Sequence, residues 1–278
     1  MNKELITNSN WQGVLFKTRW NDPDICSKDC FKWNYKWKSC PVEVINDIHS
    51  IYLQVIPTLA FRKSRGGCES LSLNCRMCKL NEVESVKHLL SRCESFLGTL
   101  FKRRHDKALQ FILFNFLFKR KMIDRCPPWY SKVEIKKRYE SDDVELMWDI
   151  PEYTGNEDDD ERKLLRPDGK IVLKKQKLIF VLEQSVPWIT NREIKITEKV
   201  EKYRNIIRNI KIENPGYEVR QLTFIIDCLG GYSKSLPENL SELSFTINEL
   251  NTILIGLQKI VLSEARMLIN HFKLMTSF

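Results

Sequence analysis

The sequence predicts an α/β protein in which helices pack in layers on a sheet. Two runs of β-type composition, Arg166 to Leu173 and Lys177 to Val186, stand close enough in the chain to form a hairpin. A helical pattern follows over about 191–210, and a strand with a buried-type run follows over about 217–229. A helix at Phe101 to Arg120 that is apolar nearly all round precedes them, and this alternation is typical of a layered α/β domain.

The chain before this domain is predicted to be helical and then rich in cysteine. Apolar residues at helical spacing form one stripe: Val44, Ile45, Ile48, Ile51, Tyr52 and Val55. The sequence Ser64 to Gly67 interrupts this pattern, and a compact cysteine/histidine cluster follows from Cys68 to Cys93. We therefore divide the chain into a helical linker region (1–67), a cluster segment (68–100) and the α/β domain (101–278).

Two further stretches complete the predicted organisation. Residues 142–161 include ten acidic side chains, and the end of this stretch, Glu157 to Glu161, is predicted to be a solvated loop before the next strand. From Pro237 onward the pattern is helical to the end of the chain.

Composition limits the classes of protein to which the chain can belong. With 278 residues, 42% of them hydrophobic, it can form a packed core, and the net charge of +9 favours a polyanionic partner. The most apolar run, Ala108 to Phe118, is too short to cross a bilayer, and no signal peptide begins the sequence. We expect no membrane insertion and a nuclear or cytoplasmic location, where clustered cysteines favour metal binding over disulfides.

The cysteine/histidine cluster has the spacing of a zinc site. Cys75 and Cys78 form a C-x2-C pair, and after nine residues His88 and Cys93 form an H-x4-C pair. Four such ligands fill a zinc tetrahedron, so the metal would be structural and coupled to folding. The alternative is four unrelated buried residues. Cys68 is a rival ligand, and Cys26, Cys30 and Cys40 form either a second site or a set of free thiols.

Two carboxylates, Asp168 and Glu183, form a second candidate site. If Lys175-Gln176 is the two-residue loop of the hairpin, Asp168 stands directly opposite Glu183 on the same face. Like charges at that distance repel unless a cation lies between them, and oxygen ligands suit magnesium or manganese. The turn lacks the Asn-Gly or Asp-Gly of good hairpin loops, so another register stays open, as does an ordinary exposed pair.

The predicted helix after the hairpin carries Lys199 and Lys202, one turn apart. A lysine beside such a carboxylate pair could orient an attacking water or stabilise a pentavalent phosphate. The alternative interpretation is a solvated, charged helix face.

Several motifs together resemble those of one family. The Cys75–Cys93 segment resembles the zinc knuckle that follows reverse transcriptase in non-LTR retrotransposons, and Arg103-Arg104-His105-Asp106 resembles the motif after that knuckle. Arg166-Pro167-Asp168, fourteen residues and Glu183 resemble the K/R-P-D-x(12–14)-D/E signature of the family's restriction-like endonuclease. Lys199 to Tyr203 resembles its basic-aromatic helix, and Leu229 to Tyr232 its Gly-rich turn.

The resemblance covers about residue 40 to the end and implies a PD-(D/E)xK nuclease with a mixed sheet flanked by helices. Such a domain nicks DNA to prime reverse transcription, with DNA and element RNA as partners. It implies Asp168 and Glu183 as metal ligands and Lys199 or Lys202 as catalytic lysine. Gln184 and Ser185 stand where an E-x-K lysine would follow Glu183, and the chain has no Tyr-x-Asp-Asp polymerase motif.

Three functions follow as hypotheses: a metal-dependent DNA endonuclease, a catalytically silent nucleic-acid-binding module, and a zinc-stabilised protein-interaction module. In the first two, basic residues contact phosphate and binding weakens with salt. The predicted contacts are Arg76, Lys79, Lys102, Arg103, Arg104, Lys174, Lys175 and Lys177. The sequence leaves the oligomeric state open.

Overall fold

The computed structural model describes residues 13–22, 29–66, 72–153 and 164–276. In these ranges the chain is a mixed α/β structure with a five-stranded mixed sheet. The helices before the sheet are α1 (Val14–Trp20), α2 (Lys32–Lys36), α3 (Val42–Tyr52), α4 (Leu59–Ser64), α5 (Val86–Ser91) and α6 (Lys102–Lys119). Short 3-10 turns occupy Asp29–Phe31 and Glu94–Phe96, and a π-helical turn over Leu97–Phe101 leads directly into α6.

The sheet is antiparallel except at one edge. Its strands are β1 (Arg138–Glu140), β2 (Val144–Trp148), β5 (Gly169–Leu173), β6 (Leu178–Ser185) and β7 (Glu218–Ile225), in the order β1-β2-β5-β6-β7. β3 (Glu152–Tyr153) and β4 (Leu164–Leu165) form a separate pair. Only β6 and β7 run parallel, because helix α7 (Arg192–Glu213) carries the chain back between them. Helices α8 (Ser235–Glu242) and α9 (Ile247–Thr276) end the described chain.

The predicted hairpin register is confirmed. The ladder runs from Gly169 opposite Leu182 to Leu173 opposite Leu178, and the Lys177 N–H donates to the carbonyl of Lys174 at 3.3 Å to close the turn. Lys177 adopts a φ of +50°, which replaces the glycine or asparagine that the turn lacks. Both neighbouring strands help to hold the register, because the turn also bonds to Asp143 and to Glu218.

β6 is buried on both faces, and the two faces meet different layers. Phe180 and Leu182 belong to the main hydrophobic core, which includes much of α6 and α9. Ile179 and Val181 point the other way and pack against α7 in a smaller core. Glu183 follows on this second face because side chains alternate along a strand. One strand thereby brings a carboxylate up to α7.

The N-terminal helices share the main core with the sheet. Leu15, Trp33 and Tyr52 are buried within it, and the Tyr52 hydroxyl donates to the carbonyl of Leu229. The Arg19 guanidinium binds the fully buried carboxylate of Asp227. The helical N-terminal region is therefore packed on the α/β body through both apolar and ionic contacts.

The structure adds elements that the sequence pattern did not indicate. β1 precedes the acidic stretch and β2 lies at its start, where Glu145 and Met147 alternate with the buried Val144, Leu146 and Trp148. The C-terminal helical region is broken between α8 and α9, where Ser244 has a φ of +66°. The predicted acidic loop at 157–161 lies outside the described residues. None of the helices in the described ranges has the length and apolar character that a membrane crossing needs.

Candidate metal centre and active site

The four predicted zinc ligands come together in the structure. The ligand atoms of Cys75, Cys78, His88 and Cys93 all lie within 4.8 Å of one another. The sulfurs of Cys75 and Cys93 are 3.9 Å apart, and the Cys78 sulfur is 3.4 Å from His88 Nε2. Two sulfurs on one zinc at about 2.3 Å each lie about 3.8 Å apart in a tetrahedron. The group can therefore hold a metal ion, and its composition and spacing are compatible with zinc.

Local backbone structure sets this arrangement. An isolated bridge pairs Asn74 with Val83, and Lys79 takes a φ of +57° to turn the chain after Cys78. The Ser85 hydroxyl accepts from the backbone N–H of His88, which caps helix α5 and places the imidazole on its first turn. The Cys93 N–H donates to the carbonyl of His88 at 2.9 Å, so the last two ligands are tied together.

A buried glutamate supports the cluster from behind. The fully buried carboxylate of Glu84 accepts from the backbone N–H of Leu59 at 3.0 Å and from the backbone and side chain of Arg76. The Arg76 guanidinium also lies 5.4 Å from the ring centroid of Phe272 on α9. Arg76, predicted to contact phosphate, thus joins the cluster to α4 and α9.

Cys26 and Cys68 lie outside the described residues. Within the described ranges, the group at Cys75 is the only set of three or more histidine, cysteine, aspartate or glutamate side chains arranged to hold a metal. Cys30 and Cys40 are free thiols, and burial raises the pKa of each.

Asp168 lies immediately before β5, one residue beyond the last ladder pair of the hairpin. Its Oδ2 accepts from the Gln184 backbone N–H at 2.7 Å and lies 3.0 Å from Nε2 of His105. Within the described part of the chain, Oδ1 has no such bond. One carboxylate oxygen is therefore fixed by the protein, and the other is available to a ligand.

His105 connects three groups at the first turns of α6. Its Nδ1 lies 3.0 Å from Asp106 Oδ1, and its Nε2 lies 3.0 Å from both Asp168 and the carbonyl of Gln184. Burial alone would lower its pKa, but hydrogen bonds to Asp106 and Asp168 raise it to about 9. His105 is therefore protonated at neutral pH and donates from both nitrogens, which lowers the pKa of Asp168 despite the burial of that carboxyl.

The carboxyl of Glu183 differs from that of Asp168 in its burial and in the direction of its pKa shift. It is 0% exposed, and burial together with the charge of Asp168 raises its pKa to about 7. Lys199 on α7 donates a hydrogen bond to its Oε2, while its Oε1 is buried without a partner among the described residues. Oε1 is therefore the oxygen of Glu183 that is open to a further donor or to a cation.

The two candidate lysines have different surroundings. Lys199 contacts Glu183, whereas Lys202 donates to the hydroxyl of Tyr203 at 2.8 Å and lies over its ring. The Tyr203 hydroxyl in turn donates to the carbonyl of Arg166 at 2.9 Å. Burial, followed by the charge of Glu183 and a hydrogen bond with it, raises the pKa of Tyr203. Lys199 therefore contacts the Glu183 carboxylate directly, whereas Lys202 contacts the Tyr203 hydroxyl.

An open cleft of about 400 Å³ leads to Asp168. Its walls come from α6, the end of β2, the end of β6 and the start of α7, and the residues on them include Lys102, His105, Asp106, Trp148, Val186 and Lys195. Ligands from solvent can therefore reach the Asp168 side of the site.

Sequence reasoning missed the part played by His105, Tyr203 and the backbone of Gln184. His105 stands in a motif that resemblance had singled out, but its contact with Asp168 spans 63 positions. No local pattern gives such a pairing.

Most of the predicted phosphate contacts are engaged with the protein itself. Arg104 is 3% exposed and donates to the carbonyls of Leu90 and Val186, so the expectation that it contacts phosphate at the surface is wrong. Burial drives this outcome, because the guanidinium joins α5 to the end of β6. Lys102 binds Asp106, and Arg103 binds the buried Glu264.

The basic residues of the hairpin tip are also paired in part. Lys174 binds Glu140 and Lys175 binds Asp143, both on the neighbouring hairpin of β1 and β2. Lys177 is exposed, as is Lys79 near the cysteine cluster. The strand hairpin that the sequence pattern missed thus supplies the carboxylates that neutralise these lysines.

No protein-family model matches the chain and no curated protein matches it, so the resemblance to non-LTR retrotransposon proteins rests on the residues named above.

Proposed function

We propose that the chain is a metal-dependent DNA endonuclease of the restriction-like type, with a structural zinc knuckle, as in non-LTR retrotransposon proteins. The observation that carries the proposal is the geometry at the end of the β5–β6 hairpin. The ladder ends with Gly169 opposite Leu182, so Asp168 and Glu183 are the next residues in register. Lys199 binds the carboxylate of Glu183. The mixed sheet with helices on both faces is consistent with the nuclease fold that the resemblance implies.

The residues of the site fit a divalent cation. Asp168 offers Oδ1 and Glu183 offers its unpartnered Oε1, and oxygen-only ligands suit magnesium or manganese. The pKa of Glu183 near 7 also fits, since a carboxyl held at the edge of ionisation is stabilised as an anion when a cation binds. Bound there, such an ion would supply Lewis-acid activation of water and neutralise charge on phosphate.

The protein's own groups would orient the site. His105 and the Gln184 N–H hold Oδ2 of Asp168 and so direct its other oxygen. Lys199 holds Oε2 of Glu183, and its ammonium can also stabilise negative charge that develops on a phosphate. Trp148 and Val186 contribute apolar surface to the walls of the cleft.

Metal binding tests the proposal before any cleavage is measured. Calorimetric titration of the zinc-loaded protein with manganese should give one site, and both Asp168→Ala and Glu183→Ala should abolish it. Asp143→Ala is a matched control, because Asp143 is a half-exposed carboxylate paired with Lys175 at the hairpin tip. Equal manganese binding by all four proteins would count against a metal site at these carboxylates.

A further inference from the structure

A groove along α7 and the adjoining strand β7 lies outside the site described above. Val200, Arg204, Ile207, Arg208 and Lys211 of α7 and Gln221 of β7 line this groove, which has a volume of about 400 Å³. We call it the α7 groove. Its α7 residues follow helical spacing, so two aliphatic and three cationic side chains form one continuous face.

The α7 groove carries positive charge with no acidic residue in its lining. Arg204, Arg208 and Lys211 are all exposed. Arg204 pairs with Glu201, but both side chains are more than half exposed, so the pair is weak and opens easily. Among the described residues no carboxylate forms an ion pair with Arg208 or Lys211.

Glu218 is the acidic residue whose pKa Lys211 helps to lower. Its carboxylate is already bound by Arg220, which also binds Glu242. Glu218 therefore shares its charge between Arg220 and Lys211 and forms its ion pair with Arg220.

In the larger groove along α6, most of the cationic side chains form ion pairs with carboxylates. Lys102, Arg103, Lys107 and Lys132 line it, in a volume of about 580 Å³. Arg103 and Lys107 both bind the carboxylate of Glu264, whose side chain is 3% exposed, and Lys102 binds Asp106. Cations committed to a buried carboxylate are not free to bind a polyanion, so the α7 groove is the better candidate.

The α7 groove begins beside the carboxylate site. Val200 directly follows Lys199, and the Gln221 amide donates to the carbonyl of Lys199 at 3.1 Å. From Val200 to Lys211 the helix rises about 16 Å. This length spans about five phosphates of one strand of duplex DNA.

We infer that the α7 groove binds the sugar–phosphate backbone of one DNA strand and leads that strand away from Asp168 and Glu183. Arg204, Arg208 and Lys211 contact phosphates, and the aliphatic floor of Val200 and Ile207 contacts deoxyribose. The inference takes DNA as the partner from the proposed function. It deepens that function by assigning the path of the strand, which none of the sequence-predicted basic residues gives.

The test is a salt titration of DNA binding, measured by fluorescence anisotropy on a short labelled duplex with the zinc-loaded protein. Each lost phosphate contact lowers the slope of log affinity against log salt by about 0.9, so Arg208→Gln/Lys211→Gln should lower it by about two. Lys132→Gln/Lys136→Gln is the matched control, since it removes two exposed lysines that do not line the α7 groove at the same change in net charge. The control slope should equal that of the wild type.

An unchanged slope in the α7 variant, or an equal loss in the control, would overturn the inference. A polyglutamate peptide that binds the wild type as tightly as DNA, or a dimer lost in the variant, would assign the groove to protein and also overturn it. Equal thermal midpoints verify that both variants fold. This test measures DNA binding and not cleavage. A failure of the proposed nuclease would instead appear as an absence of plasmid nicking by a protein that still binds DNA, so the two failures are distinguishable.

Discussion

Nε2 of His105 on α6 lies 3.0 Å from Oδ2 of Asp168, the residue before β5. A helix side chain therefore contacts the carboxylate at the end of the sheet strand. Nδ1 of the same ring is held by Asp106, which fixes the ring plane. Partners of this kind orient ligands that bind metal, and their loss costs about 10–100-fold in metal affinity or activity. The relationship makes His105 a positioning residue for Asp168.

His105→Ala should therefore weaken manganese binding and plasmid nicking about 10–100-fold, while DNA affinity stays near that of the wild type. The reason is that Asp168 loses a donor to Oδ2 and can rotate. His105→Gln keeps one amide donor and should recover part of the loss. If both variants nick as fast as the wild type, the ring has no positioning role.

Loss of a zinc ligand should unfold part of the shared core. Cys78→Ser should lose the bound zinc and lower the free energy of unfolding by more than about 3 kcal/mol, because binding and folding are coupled. Metal analysis and urea denaturation measure the two effects. Cys126→Ser is the matched control, as its half-buried thiol lies outside the cluster. A zinc-free Cys78→Ser protein as stable as the wild type would contradict a structural zinc.

The buried ion pairs of the N-terminal helix predict a strong stability effect far from the carboxylates. Asp227 binds Arg19 and Arg192, and it accepts the backbone N–H groups of Leu229 and Gly231. Asp227→Ala leaves the buried guanidinium of Arg19 without its carboxylate partner, while Arg192 keeps its ion pair with Asp22. It should lower the free energy of unfolding by about 3–5 kcal/mol in urea denaturation. A cost below about 1 kcal/mol would show that α1 is not held by this carboxylate.

The pKa of Glu183 predicts an unusual dependence of stability on pH. In the metal-free fold this pKa is raised from 4.5 to about 7, so the folded state favours the protonated acid. The favourable contribution is complete below 4.5 and is lost as the pH rises through about 7. Glu183→Gln should thus be about 2 kcal/mol more stable than the wild type at about pH 8, and this gain should vanish near pH 4. Urea denaturation of the metal-free proteins at both pH values measures it, and a gain independent of pH would contradict the buried acid.

The parts of the fold that the sequence predicted are those with local rules. The Lys175-Gln176 turn sets the hairpin register, and the alternation of Ile179 to Leu182 would be reversed by a slip of one residue. The cysteine and histidine spacing is local in the same way. β1 and β2 escaped prediction because they are short, and β1 carries two exposed charged residues around Tyr139.

The contacts that complete the site join distant parts of the chain. His105 and Asp168 are 63 positions apart, and Arg19 and Asp227 are 208 positions apart. Neither pair follows a helical or strand period. The ion pairs at the surface could not be predicted for the same reason. Lys174 and Lys175 at the hairpin tip have no acidic neighbour in the sequence, but in the structure they pair with Glu140 and Asp143.

We propose that Asp168 and Glu183 form the active site of a DNA endonuclease, and nicking of supercoiled plasmid with magnesium tests this proposal most directly. The wild type should convert supercoiled to open-circular plasmid, and Asp168→Ala should be slower by orders of magnitude because a metal ligand is lost. Asp143→Ala should nick like the wild type, and a gel shift should show that all three proteins bind DNA alike. Nicking at the same rate by wild type and Asp168→Ala, or no nicking by a wild type that is folded, zinc-loaded and bound to DNA, would contradict the account.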